Sequence, residues 1–215
     1  MEILQQAVMV LVPMILSLSV HEYAHARAAY ALGDDTASRM GRMNLNPMSH
    51  IDLFGTILLP MIAILSQSGF FFGWAKPVPI NPVRLTRRFR MKTGVLLTAA
   101  AGPASNLLFA FLIALIFRFT AEMELPKNVM TLLVMTFRIN VVLAVFNLIP
   151  VPPLDGSRVL VGLLPDSLGR QFEVLERNPM FVILAFAVLI GFAGRVMAWP
   201  IDFVTRMLLM VTGNM

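Results

Sequence analysis

The chain has 215 residues, no cysteine, a net charge of +5, and 58% apolar against 13% charged residues. A water-soluble globule carries roughly 25% charged residues, so this chain has too little polar surface to be wetted on all sides. The composition argues against a soluble domain and rules out disulfides and thiolate metal ligands, while leaving the redox compartment open.

Taken in chain order, Ile3 to Ala31 is a long, nearly uncharged run that turns polar only near its end. It is too long for a cleaved signal peptide and is headed by Glu2. Ile51 to Phe72 is apolar but broken by Pro60 and by Ser66-Gln67-Ser68-Gly69. Gly94 to Phe117 is closed by Arg118, Thr131 to Pro150 carries Arg138 and Asn140, and Pro179 to Pro200 holds Arg195 near its end. About 20 apolar residues cross a bilayer core as a helix; every run but the second meets that standard comfortably. Ile201 to Val211 reads as a short amphipathic segment at the interface, with Asp202 and Arg206 on one side. The expectation is an all-α polytopic membrane protein, one domain over residues 1–215. It would be a bundle of about four to six transmembrane helices with a possible re-entrant loop.

Six of the 17 basic residues fall between Lys76 and Lys92. Beside such apolar runs this reads as a cytoplasmic loop and not as a nucleic-acid patch. Arg39 and Arg42 mark the preceding loop as cytoplasmic too, whereas Thr120 to Asn128, with Glu122 and Glu124 against Lys127, reads as external. Two loops on one side cannot flank a single crossing. Either Ile51 to Phe72 re-enters on the side it left, or one loop breaks the charge rule. With re-entry, the first and fourth spans both run inward.

The polar residues inside the first run are His21, Glu22 and His25, in the string HEYAH. On a helix, positions i and i+4 share one face a turn apart, so two imidazoles there can hold one zinc. Glu22 beside them can take a proton from a water at the metal. The bland alternative is a chance match. Ionisable residues in an apolar span are costly, and three within five positions argue against chance.

A catalytic zinc needs a third protein ligand and one open position. The remaining histidine is His50, which would close that open position if it were a fourth ligand. The acidic candidates near the membrane are Asp52, Asp155 and Asp202. Asp155 lies in NLIPVPPLDG, Asn147 to Gly156, where three prolines remove backbone donors and force an extended chain. Irregular backbone at membrane depth is tolerated where it lines a cavity or is buried in protein, and Gly156 lets the chain turn sharply. Asp155 could therefore be aimed into the bundle, or it could simply cap a helix over Gly156 to Leu164. The residues alone leave both open.

HEYAH, AGPASN at Ala101 to Asn106, and NLIPVPPLDG, in that order, resemble the site-2 protease family of intramembrane zinc metalloproteases. The last string fits the family pattern N-x-x-P-x-x-P-x-D-G at Asn147, Pro150, Pro153, Asp155 and Gly156. The resemblance runs from the first span to about Leu164. It implies one zinc per chain on His21, His25 and Asp155, with Glu22 as general base. Asn147 would help to hold the substrate backbone. Asn106, near the site, is a second substrate-side candidate, although interhelical hydrogen bonding is the favoured role for it. The family's membrane-embedded loop after the zinc helix favours re-entry, and an edge near Phe70 to Pro79 could pair with an extended substrate. Short prokaryotic members are the nearest in type, because the chain has no room for a PDZ or CBS domain. The implied partners are transmembrane protein substrates and the bilayer, with no nucleic acid, and the implied site is near the cytoplasmic face of a prokaryotic cell membrane. The competing readings are a membrane zinc-binding protein or transporter without protease activity, and a silent scaffold, which intact Glu22 disfavours. The oligomeric state is not legible.

Overall fold

The computed structural model describes residues 3–66, 73–86, 88 and 90–214. In hydrocarbon every backbone polar group must be satisfied internally, which makes helices of runs this apolar. The elements are α1 (Ile3–Ala31), α2 (Thr36–Arg39), α3 (Leu59–Leu65, entered through a π-helical turn at Leu53–Leu58), α4 (Met91–Phe119), α5 (Lys127–Asn147), α6 (Asp155–Leu163), α7 (Asp166–Glu176) and α8 (Pro179–Val211). The described residues contain no strand.

Three helices, α1, α4 and α5, are each long and apolar enough to cross a membrane. At 1.5 Å per residue they measure about 43, 43 and 31 Å, against a hydrocarbon core of about 30 Å. A fourth candidate is a bent pair, α7 with Pro179–Phe192, turned by 90° at the break. The chain is thus an all-α membrane bundle. α4 lies at its centre, against α1, α5 and α6. Near one end Ala110, Ile113 and Ala114 of α4 close on Phe137 and Val141 of α5 and Leu208 of α8. The alanines let the backbones approach closely, which is where helix association in lipid finds its packing energy.

Gln5 Nε2 donates to Asn128 Oδ1 at 3.2 Å, which puts the N-termini of α1 and α5 side by side. The two helices therefore run in the same direction, as the charge pattern suggested.

The described part of the second apolar run, Leu53–Leu65, holds no helix long enough to cross, and the chain just after the run returns to the start of it. Lys76 N–H donates to the His50 carbonyl at 2.8 Å and Trp74 N–H to that of Gly55 at 3.2 Å. Thr56 Oγ1 donates to the Trp74 carbonyl at 2.7 Å. The segment leaves and returns at one level. Residues 67–72, which hold most of the expected Ser-Gln-Ser-Gly reversal and the start of the expected edge, lie outside the described residues.

From Gly73 to Thr86 the chain forms a strap over the C-terminal half of α1. Asp34, 1% exposed, accepts from Asn81 N–H at 2.6 Å, from Thr36 N–H at 3.0 Å and from the Thr36 hydroxyl. Thr86 N–H reaches the Leu32 carbonyl at 2.5 Å, and Arg42 Nη2 donates to the Lys76 carbonyl at 2.8 Å. Asp35 is bonded by Arg39, and together with Arg84 this holds its carboxyl below the usual range.

The sequence expectation fails at the C-terminus. Ile201 to Val211 is no separate interfacial segment; it continues α8 through Pro200. A proline inside a helix costs one backbone bond and a local clash. Here Ile201, Val204 and Leu208 pack onto the α4–α5 core, and that burial outweighs the break. Asp202 and Arg206 pair with each other along the helix at 2.9 Å.

Candidate metal centre

α1 carries His21, Glu22 and His25 on its buried face, at 5%, 8% and 6% exposure. The four-residue spacing stacks the two imidazoles on one side, with ring centroids 4.6 Å apart. α5 stops at Asn147 because Pro150, Pro152 and Pro153 follow. The irregular stretch carries the chain back under α4 and delivers Asp155 as the first residue of α6. The position before the helix is Leu154, and no side chain caps it. Asp155 is therefore not the helix cap that the sequence allowed. Its Oδ2 lies 3.1 Å from His21 Nε2 and 3.2 Å from His25 Nε2, and those nitrogens are 3.0 Å apart.

The proton positions follow from the far side of each ring. His25 Nδ1 sits 2.8 Å from the Thr98 carbonyl, which can only accept, so Nδ1 carries the hydrogen. His21 Nδ1 lies 2.6 Å from Asn106 Oδ1 and donates likewise. With the hydrogen on Nδ1, each ring in its neutral form presents a bare Nε2 lone pair to a buried carboxylate oxygen that has no hydrogen-bond partner. Three converging lone pairs repel one another unless a cation lies among them. A tetrahedral zinc with bonds of about 2.0–2.1 Å sets its ligand atoms roughly 3.3 Å apart, close to the spacing found. The donor set, two imidazoles and one carboxylate with a fourth direction left open, fits zinc.

Two glycines make the approach possible. A Cβ on Gly102 of α4 would run into both the His21 and His25 rings. A Cβ on Gly156 would strike the Leu148 and Ile149 carbonyl oxygens. The need at Gly156 is therefore space and not, as the sequence suggested, freedom to turn, since it is helical.

A cavity of about 390 Å³ opens onto these groups, lined also by Val78, Ile80, Thr98, Asn147 and Arg158. Glu22 faces it beside the histidines, and its Oε2 accepts from Val78 N–H of the strap at 2.8 Å. Asn147 lies in the cavity wall, with its Nδ2 tied to the Leu143 carbonyl of its own helix at 3.0 Å. Asn106 does not line the cavity. It is fully buried behind His21, so its sequence assignment as a substrate contact gives way to a place in the bundle.

The other candidate ligands are elsewhere. His50 Nε2 is bonded to the Asn44 carbonyl at 2.8 Å. Asp52 accepts from Phe54 and Gly55 N–H and starts the π-helical turn. Asp202 is paired within α8. Residues 73–79, the described part of the expected pairing edge, form no strand. Lys76 and Val78 have given their N–H groups to His50 and Glu22, and Pro77 and Pro79 have none. Sequence reasoning passed over the Thr98 carbonyl, the Val78 amide and Ser17, and treated Asn140 only as a polar residue in a span. The one legible signal was Asn140 itself, an amide in the middle of an apolar run.

Residues 120–191 match the family model described as Peptidase family M50. The chain is 38% identical over 197 residues to "Putative zinc metalloprotease YwhC" of Bacillus subtilis, covering 88% of this chain and 83% of that protein. It is 28% identical to "Putative zinc metalloprotease Rip2" of Mycolicibacterium smegmatis, over 84% of this chain and 67% of that protein. The same holds for Rip2 of Mycobacterium tuberculosis, at 28% over 81% and 67%. No solved structure matches the chain significantly.

Proposed function

The chain belongs to peptidase family M50, and from that premise we propose that it cuts peptide bonds of other membrane proteins within or at the edge of the bilayer. It is a zinc metalloprotease by family and an integral membrane protein by its apolar helices. The finer reading rests on one observation: the convergence of His21 Nε2, His25 Nε2 and Asp155 Oδ2 within 3.2 Å, inside an apolar bundle and on a cavity that Glu22 shares.

In this reading His21, His25 and Asp155 hold the zinc. The metal, when bound, polarises the scissile carbonyl and lowers the pKa of a water. Glu22 would serve as the general base, accepting a proton from the attacking water and handing it to the leaving amine. The Val78 amide bonds Glu22 Oε2, and Oε1 would take the proton. Asn147, which lines the cavity, would hydrogen-bond the substrate backbone in this reading. Peptide bonds of a transmembrane helix are closed in i to i−4 hydrogen bonds, so the substrate must unwind locally to expose one. The basic strap would put the site near the cytoplasmic side.

The transporter reading needs a polar path through the bundle. The buried polar groups at Ser17, Asn106 and Asn140 lead away from the site, but the core beyond is filled by Ala110, Ile113, Ala114, Phe137 and Val141. The test is purified protein incubated with a transmembrane peptide, with and without a zinc chelator. Chelator-sensitive cleavage within the apolar segment is expected. Tight zinc binding with no cleavage of any transmembrane peptide would overturn the reading in favour of a zinc-binding or transport role.

A further inference from the structure

Three helices meet behind His21 in a closed chain of hydrogen bonds that no sequence motif announces. Asn140 of α5, Asn106 of α4 and Ser17 of α1 are each fully buried. Asn140 Nδ2 donates to the Thr136 carbonyl at 2.8 Å and to Ser17 Oγ at 2.8 Å. Asn140 Oδ1 accepts from Asn106 Nδ2 at 2.8 Å, and that same Nδ2 donates to the Ser17 carbonyl at 3.2 Å. Ser17 Oγ gives its own hydrogen to the Pro13 carbonyl at 2.7 Å. What remains free is Asn106 Oδ1, which faces His21 Nδ1 at 2.6 Å.

We propose that Asn140 is a positioning residue that fixes His21 in the tautomer with hydrogen on Nδ1, acting through the Asn106 amide. The argument is one of donor and acceptor types. Backbone carbonyls accept only, so the Thr136 carbonyl dictates that Asn140 turns its NH₂ toward it. Its Oδ1 must then face Asn106. A flipped Asn106 would set its oxygen against two acceptors, Asn140 Oδ1 and the Ser17 carbonyl, at buried sites where an unmatched polar group costs about 1–3 kcal/mol. Asn106 is therefore held with Oδ1 toward His21, which must donate from Nδ1, and in the neutral ring that tautomer leaves Nε2 bare. Without Asn140 the Asn106 amide keeps only the longer Ser17 bond. The flipped amide, which pairs with the other His21 tautomer and blocks Nε2 with hydrogen, then becomes populated. Because α1, α4 and α5 each supply a member, correct packing of the three helices is also what prepares the ring. The zinc readout below rests on His21 being a ligand; the tautomer readout does not.

The experiment uses the metal-free, full-length protein in detergent with ¹⁵N-labelled histidine. Its three histidines give few ring signals. Asn140→Leu and Asn140→Ser both delete the acceptor, and the serine can satisfy itself on the Thr136 carbonyl and so guards against misfolding. Thr136→Val is the control, because its hydroxyl bonds only the Leu132 carbonyl. The expected result is a shift of the His21 ring nitrogens toward the other tautomer in both Asn140 variants and not in Thr136→Val. Zinc affinity, read by competition with a chromophoric chelator, should fall about 10- to 100-fold, as for lost outer-shell partners. Ring shifts identical to the control in a folded Asn140 variant overturn the assignment. A shifted tautomer in a chain whose unaltered form binds no zinc would uphold the relay and remove the metal reading instead.

Discussion

At the scale of single residues, Glu22 and its neighbours have separable duties. Glu22 touches the strap amide and the cavity but is not among the converging ligand atoms. Glu22→Gln keeps an oxygen for the Val78 N–H and removes the proposed base. Zinc content should stay at one per chain while turnover falls by about 10²–10⁴-fold, measured by metal analysis beside a peptide assay. Loss of zinc together with activity would make Glu22 a ligand or a support. Asp155→Ala removes the third ligand, so bound zinc should drop and cleavage vanish; full zinc in that variant would take Asp155 out of the centre. Gly102→Ala tests the packing that brings α4 to the site. Its methyl would collide with both ligand rings, and forced overpacking costs roughly 1–3 kcal/mol. We expect impaired zinc binding and a lower melting temperature, and equal zinc affinity to the unaltered chain would show that α4 can yield there.

At the scale of elements, the strap is the part whose position most affects the site. Its regular structure is limited to the 3-10 turn Pro82–Arg84, and it is held by Glu22 of α1 and by residues just after that helix, with Asp34 at the hub. Asp34→Ala leaves half-buried donors of Thr36 and Asn81 without that acceptor, at a cost of about 1 kcal/mol. Limited proteolysis in detergent should then cut between residues 73 and 86 before the helices are attacked. An unchanged digestion pattern would mean that the strap's other bonds, to Glu22, Leu32, Asp35 and His50 among them, hold it without Asp34. The HEYAH helix was legible from apolar length and four-residue spacing. The strap was not, because its bonds join residues up to 56 positions apart, and no local pattern encodes such pairing.

At the scale of the whole molecule, parallel α1 and α5, and the bonds of Trp74 and Lys76 back to Gly55 and His50, give one consistent threading. The basic strap and the acidic 120–128 loop should face opposite sides of the membrane. The chain lacks cysteine, so single cysteines at positions 84 and 123 can be probed without background. We expect position 84 to react only when the cytoplasmic side is open to the reagent and position 123 from outside. The reverse pattern would invert the protein and place its metal centre on the external side.

Apolar length alone determined that the chain is a helical membrane bundle, since hydrocarbon leaves these runs little but helix. The spacing of His21, Glu22 and His25 on one helix determined that a metal pair was on offer. Both are local properties, fixed within a few turns. The third ligand was different. Sequence alone left Asp155 between helix cap and metal, and the family pattern favoured metal. Its place against the two histidines is set by the proline-broken stretch after α5 and the bare face of α4 at Gly102. Tertiary structure likewise decided that Asn106 stands behind His21, that Asn140 stands behind Asn106, and that α8 runs on through Pro200. In each case burial against a distant segment, which no local pattern records, outweighed the preference of the nearby chain.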